Sequence, residues 1–219
     1  MRRIALLAIV FACLASPQLA LAQDKPPAVS LAANPRGVYA RIDLRRTEEM
    51  VGRLRAAYGS DRRAAIREVE ADPSAYMPPV LYALANTLAE DYAERAIYWY
   101  QLGRMRAVYD ALRCKDKSVQ AALVVLRTRV GRDLSASMFY RRERLVAIAQ
   151  KAIDFDGTNP PRYDHRWIAL YGKLAASSDG SNPDEVTVPE SEWPAILKHV
   201  HESHLAAVEA FVTAEKKGQ

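Results

Sequence analysis

Between Pro79 and Arg113 the apolar residues fall on helical spacing in two consecutive runs. Leu81, Leu84, Ala85, Leu88 and Tyr92 stand at i, i+3, i+4, i+7 and i+11, and after a break near Asp91 the series Tyr98, Leu102, Met105, Tyr109, Leu112 repeats the period. Each run therefore carries one apolar stripe that has to be covered. Two such stripes joined by a short turn cover each other as an antiparallel helix hairpin. A strand buries alternate residues and cannot use this pattern, so the hairpin commits the chain to a helical fold.

Composition and the flanking segments agree. Ala, Leu, Arg and Glu dominate and only 9 of 219 residues are Gly, a balance that favours helix over sheet. Thr47 is placed to cap a helix carrying Met50, Val51, Leu54 and Ala57, with Gly59 as its stop; Asp61 is placed to cap a second through Val69, ended by Asp72 and Pro73. A helix from Ser118 to Val130 stacks Val119, Ala122, Leu123 and Leu126, and Val124 and Val125 leave it little polar face, which predicts a central position. Further helices are expected over Arg142–Phe155, His165–Ala176 and Ser191–Lys216, with loops at 131–138 and 177–190. Val38 to Ile42 alternates and predicts a short extended piece.

The N-terminus carries an address. Arg2 and Arg3 precede the apolar run Ile4 to Ala15, and Ala20-Leu21-Ala22 puts small residues at the two positions a signal peptidase reads. The run is shorter than the ~20 apolar residues a spanning helix needs, so the expectation is a cleaved leader over 1–22, no stable membrane insertion and a periplasmic product. Lipidation at Cys13 is the alternative, with bulky Phe11 where a small residue is wanted. Residues 23–44 read as a flexible lead-in and 45–217 as one helical domain. Without Arg2 and Arg3 the 31 basic residues become 29, against 26 acidic ones. That mild balance gives no reason to expect nucleic acid. Cys114 is then the sole cysteine, either buried and inert or paired between chains.

At Ala96-Ile97-Tyr98-Trp99-Tyr100-Gln101-Leu102-Gly103 the spacing Ala-x-x-Trp-Tyr-x-x-small, preceded by Asp91-Tyr92, resembles the second helix of a Sel1-like or tetratricopeptide repeat, and Leu81 to Leu88 is similar to the first. One repeat further on, Arg132, Ser135, Ala136 and Phe139 do not match, so an array of identical repeats is not expected. The resemblance implies protein or peptide binding on a helical surface.

Two stretches carry residues suited to chemistry, Asp154–Thr158 and the histidines of the last helix. Asp154-Phe155-Asp156-Gly157-Thr158 looks like the first motif of haloacid-dehalogenase phosphatases, but Leu145, Ile148, Ala149 and Ala152 have helical period where that family needs a strand. Only 61 residues follow Thr158, too few for a doubly wound sheet. An EF-hand fails on Asn159 at the glycine position and His165 at the bidentate glutamate. Of His199, His201 and His204, the last two share a helix face, while His199 points about 160° from His201. No cofactor and no metal is indicated.

Asp164-His165-Arg166-Trp167 is either an interface hot spot or a junction in which Asp164 caps the next helix and Trp167 is buried. The expectation is an all-α stack of seven or eight helices, non-catalytic, binding another protein in the cell envelope as adaptors and immunity proteins do. Tyr98, Arg104, Arg106, Arg166 and Trp167 are its candidate contact residues. The competing reading is a metal-dependent envelope hydrolase using Asp154 and Asp156 or His201 and His204.

Overall fold

The computed structural model describes residues 31–217; the expected leader, with Cys13, and the first part of the lead-in lie outside the described residues. The described chain is all-α. Its α-helices are α1 (Gly37–Ala40), α2 (Arg45–Arg55), α3 (Ser60–Ala71), α4 (Pro78–Leu88), α5 (Ala93–Arg113), α6 (Gln120–Thr128), α7 (Arg132–Tyr140), α8 (Leu145–Thr158), α9 (Lys173–Ser177) and α10 (Trp193–Lys217), linked in places by single 3-10 turns. Among the described residues no helix is long and apolar enough to cross a membrane.

The hairpin predicted from 79–113 is the centre of the molecule. α4 and α5 pack along their lengths, and α5 also touches α6, α7, α8, α10 and the His165–Tyr171 turn. Fourteen of its 21 residues are buried, so α5, not the Ser118–Val130 segment, is the central helix. Gly103 explains the close α4 contact, since a Cβ there would stand 3.0 Å from Leu81 Cβ. Ile97, Leu102 and Met105 are fully buried. Truncating one such side chain to Ala costs about 2–5 kcal/mol.

Three expectations need correction. The helix at 118–130 is peripheral: it begins as a 3-10 turn at Lys117–Val119, buries Val119, Ala122 and Leu126, and leaves Val124 exposed. Valines on an outward face satisfy a helical pattern without marking a centre.

Residues 131–138 are not a loop but most of α7. Asn86 makes this helix possible. Its amide donates to the Arg129 carbonyl and its oxygen accepts from Gly131 N–H, both at 2.8 Å, which fixes the turn before α7 while Leu134 buries against the core. Ser and Asp in Arg132–Ser137 gave the segment its loop-like composition.

Val38 to Ile42 is not extended, and the described part of the lead-in packs on the domain. Buried Val38, Tyr39 and Ile42 stand at i, i+1 and i+4, a helical spacing that a five-residue alternation conceals. The segment is clasped to the 177–190 loop: Val38 N–H donates to the Gly180 carbonyl at 3.0 Å. Gly37 and Gly180 both have positive φ (53° and 66°), and a Cβ on Gly37 would lie 2.0 Å from the Gly180 oxygen. Only glycine fits on both sides of that contact.

Candidate functional site

Two acidic side chains inside the bundle organise the polar interior, and they absorb two of the five expected contact residues. Asp156, on α8, is buried against Arg106, on α5. Arg106 Nε donates to Asp156 Oδ1 at 2.7 Å, and its remaining nitrogens donate to the carbonyls of Pro73 (3.0 Å) and Asn159 (2.8 Å). One guanidinium thus ties α5, α8 and the turn before α4 together. His201, from α10, completes the cluster by placing Nε2 2.9 Å from Asp156 Oδ2. A carboxylate only accepts, so that nitrogen carries the proton.

Asp110, four residues beyond Arg106, holds the second cluster. Its Oδ2 accepts from Trp167 Nε1 at 2.7 Å and from the Tyr163 hydroxyl at 3.0 Å, while Oδ1 pairs with Arg113. Burial raises the Asp110 carboxyl to about 6, with Arg113 opposing that rise. The Arg113 guanidinium stacks over Tyr109 at 3.9 Å and Trp193 at 4.7 Å. Trp167 is therefore an anchor of the 160s junction, and Asp164 caps the turn that carries it by accepting from Arg166 N–H at 3.0 Å.

The expected contact set divides accordingly. Arg106 and Trp167 are interior and cannot meet a partner; as surface residues they are corrections to the sequence reading. Tyr98 is half-buried between the rings of Trp99 and Phe155, where burial pushes its hydroxyl up to about 12. Arg166 is half-exposed and neutralised by Asp164 at 2.7 Å. Of the five, only Arg104 lines a substantial surface groove.

The residues of the hydrolase reading also separate. Asp154 and Asp156 differ by two positions on α8, about 200° of rotation, so Asp156 faces the interior while Asp154 is exposed and accepts from Gln150 at 2.8 Å. His204 is buried with its Nε2 unpartnered, and burial, followed by Arg104 and His201, lowers it to about 4. Among the described residues no three His, Cys, Asp or Glu side chains gather as metal ligands. Cys114 is fully buried and its thiol is pushed up to about 12 by burial, so of the two alternatives for this cysteine the structure has the buried one.

The groove lies between α5, α7, α8 and α10, with a volume of about 690 Å³. Met138, Phe139, Leu145, Val208 and Phe211 form its apolar walls; Gln101, Arg104 and Arg127 stand on the α5–α6 side, and no acidic residue lines it. A smaller hollow of about 170 Å³, walled by Tyr82, Val108, Leu123 and Val124, shares Tyr100, Arg104 and Arg127 with it. At its rim, the wall residue Phe139 and its neighbour Tyr140 are 46% and 77% exposed with ring centroids 5.5 Å apart, and the Arg142 guanidinium sits 5.6 Å from the Phe139 ring.

Sequence reasoning missed this edge because it assigned 131–138 to a loop and began the next helix at Arg142, leaving Phe139 and Tyr140 between the two. The available signal was Phe139-Tyr140 directly before Arg141 and Arg142. No protein family, no curated protein and no solved structure matches this chain.

Proposed function

We propose that this chain is a non-catalytic helical binding protein, exported to the cell envelope by its leader, that docks an acidic partner protein on the edge formed by Phe139, Tyr140 and Arg142. One observation carries the reading: two neighbouring aromatic rings stand exposed with a guanidinium over one of them. Large exposed aromatics cost solubility unless a partner covers them, and Trp, Tyr and Arg dominate the energetics of protein interfaces. Arg141 and Arg142 beside them favour an acidic counterpart. Divergence of Asp154 from Asp156, and the commitment of Asp156 to Arg106, favour binding over the hydrolase alternative. Adaptors and immunity proteins are the functional classes that suit an exported binder of this kind, by analogy of class alone.

A photo-activatable side chain in place of Tyr140 tests this in intact cells, with Tyr58, 76% exposed on the α2–α3 turn, as the control position. The expected result is a discrete cross-linked product from position 140 that disappears in Arg142→Glu and is absent from position 58. Equal or no cross-linking at the two positions sinks the assignment.

A further inference from the structure

We propose that the groove between α5, α7, α8 and α10 is a binding site for a long-chain alkyl carboxylate. The proposal goes beyond the docking function and does not depend on it.

The volume of about 690 Å³ lies within the roughly 300–1,000 Å³ typical of small-molecule sites. More telling is how its chemistry is divided. The walls from α8 and α10 are hydrocarbon, contributed by Leu145, Ala207, Val208 and Phe211, and Met138 and Phe139 of α7 continue them. The cations Arg104 and Arg127 lie on the margin the groove shares with the smaller hollow. Neither guanidinium is in an ion pair with a described residue. A ligand matched to this layout has a tail without hydrogen-bonding groups and an anionic head at one end. A peptide matches it poorly, because its backbone donors and acceptors would face walls that offer no partner.

Gln101 is the independent sign that something polar belongs at the head end. It lines the groove, is 97% buried (3% exposed), and its Oε1 has no hydrogen-bond partner. Buried side-chain amides are nearly always satisfied. A side-chain amide can be turned by 180°, so Gln101 is able to donate to a ligand carboxylate, and Arg104, three residues on along the same face of α5, supplies positive charge beside it. Charge-assisted bonds of this kind are the strong ones.

The test uses the mature chain and a fluorescent reporter, 11-(dansylamino)undecanoate, with dodecanoate, hexadecanoate and dodecyltrimethylammonium as competitors below their micelle concentrations. Saturable one-site binding is expected, with displacement by both carboxylates, tighter for hexadecanoate by roughly two- to four-fold per buried methylene. The cationic amphiphile should not displace the reporter.

Arg104→Gln/Arg127→Gln should weaken binding at least ten-fold. Ala207→Trp, an exposed position on the groove wall, should block it, with an unchanged helical spectrum and melting curve showing that each variant folds. Absence of saturable binding, equal displacement by the cation, or full binding by Ala207→Trp overturns the proposal. Displacement by an acidic peptide but by neither carboxylate overturns it in favour of a peptide site. Phe139 is common to the groove wall and the docking edge, but Tyr140 and Arg142 lie outside the groove lining, so the cross-linking result at those two positions stands or falls separately.

Discussion

Replacing Asp156 by Asn leaves the shape of the interior almost unchanged and removes one charge from a place that water does not reach. Arg106, with no exposed surface, then keeps its bonds to the Pro73 and Asn159 carbonyls but loses the carboxylate that balances it. Leaving a buried charge uncompensated in this way costs about 3–5 kcal/mol. Arg106→Met strands the carboxylate instead and should cost about as much.

The double variant Arg106→Met/Asp156→Leu behaves differently, because both charges go. Asn159 O still accepts from Ser74 Oγ at 3.1 Å and the Pro73 carbonyl from Tyr76 N–H at 3.5 Å, so chiefly His201 Nε2, part-buried, is left short of its partner. One such unsatisfied group costs about 1–3 kcal/mol. The double variant should therefore be more stable than either single one, where simple addition predicts a loss of about 6–10 kcal/mol. Urea unfolding followed by helical circular dichroism measures all four proteins. If Asp156→Asn lies within about 1 kcal/mol of the parent, or if the two losses add, the pair does not hold the interior as described.

Other consequences are as direct. His204 is lowered to about 4 from 6.5, so the native state takes up fewer protons than the unfolded chain between those values; its stabilising contribution is complete above pH 6.5 and is lost as pH falls towards 4, about 2 kcal/mol by pH 5. His204→Leu should therefore flatten the loss of stability between pH 7 and 5 in urea titrations, and a parallel curve would show that His204 is not the source. Asp110 acts oppositely: raised to about 6 from 3.8, it makes the native state bind more protons in that window and adds about 1 kcal/mol of stability between pH 7 and 5. Asp110→Asn should steepen the acid loss, and an unchanged slope would contradict the assignment. Gly37→Ala should destabilise by about 2 kcal/mol or more through its positive φ and the collision with Gly180, with hydrogen exchange at Val38 accelerated first; wild-type protection there would dissolve the clasp. Cys114 should react with a thiol reagent only as fast as the protein unfolds, and rapid native-state labelling would refute its burial.

What could be read in advance was the information that helical periodicity carries. The α4–α5 hairpin, the helical ending of α8 at Asp154–Thr158 and the Asp164 cap over a buried Trp167 all depend on residues close in sequence. What escaped depends on partners far away in the chain. Arg106 meets Asp156 across 50 residues and Asp110 meets Trp167 across 57, so Arg106 looked like a surface cation. Yet α5 itself held the warning: its stripe spreads nearly all round the helix, and Arg106, Asp110 and Arg113 within such a helix require internal partners. α7 escaped because Asn86, 45 residues before Gly131, supplies the turn that its own sequence does not announce. The groove could not be read at all, since five helices contribute residues to its lining.

The central claim, docking through the Phe139–Tyr140–Arg142 edge, is tested most directly by affinity. The protein captured at position 140 should be purified and its binding to this chain measured by calorimetry, against Tyr140→Ala, Arg142→Glu and the interior variant Arg106→Met/Asp156→Leu. The account predicts that each surface substitution weakens binding at least ten-fold, a loss of about 1.4 kcal/mol or more, with salt dependence reduced in Arg142→Glu and affinity retained by the folded interior variant. Undiminished affinity in both surface variants would contradict it.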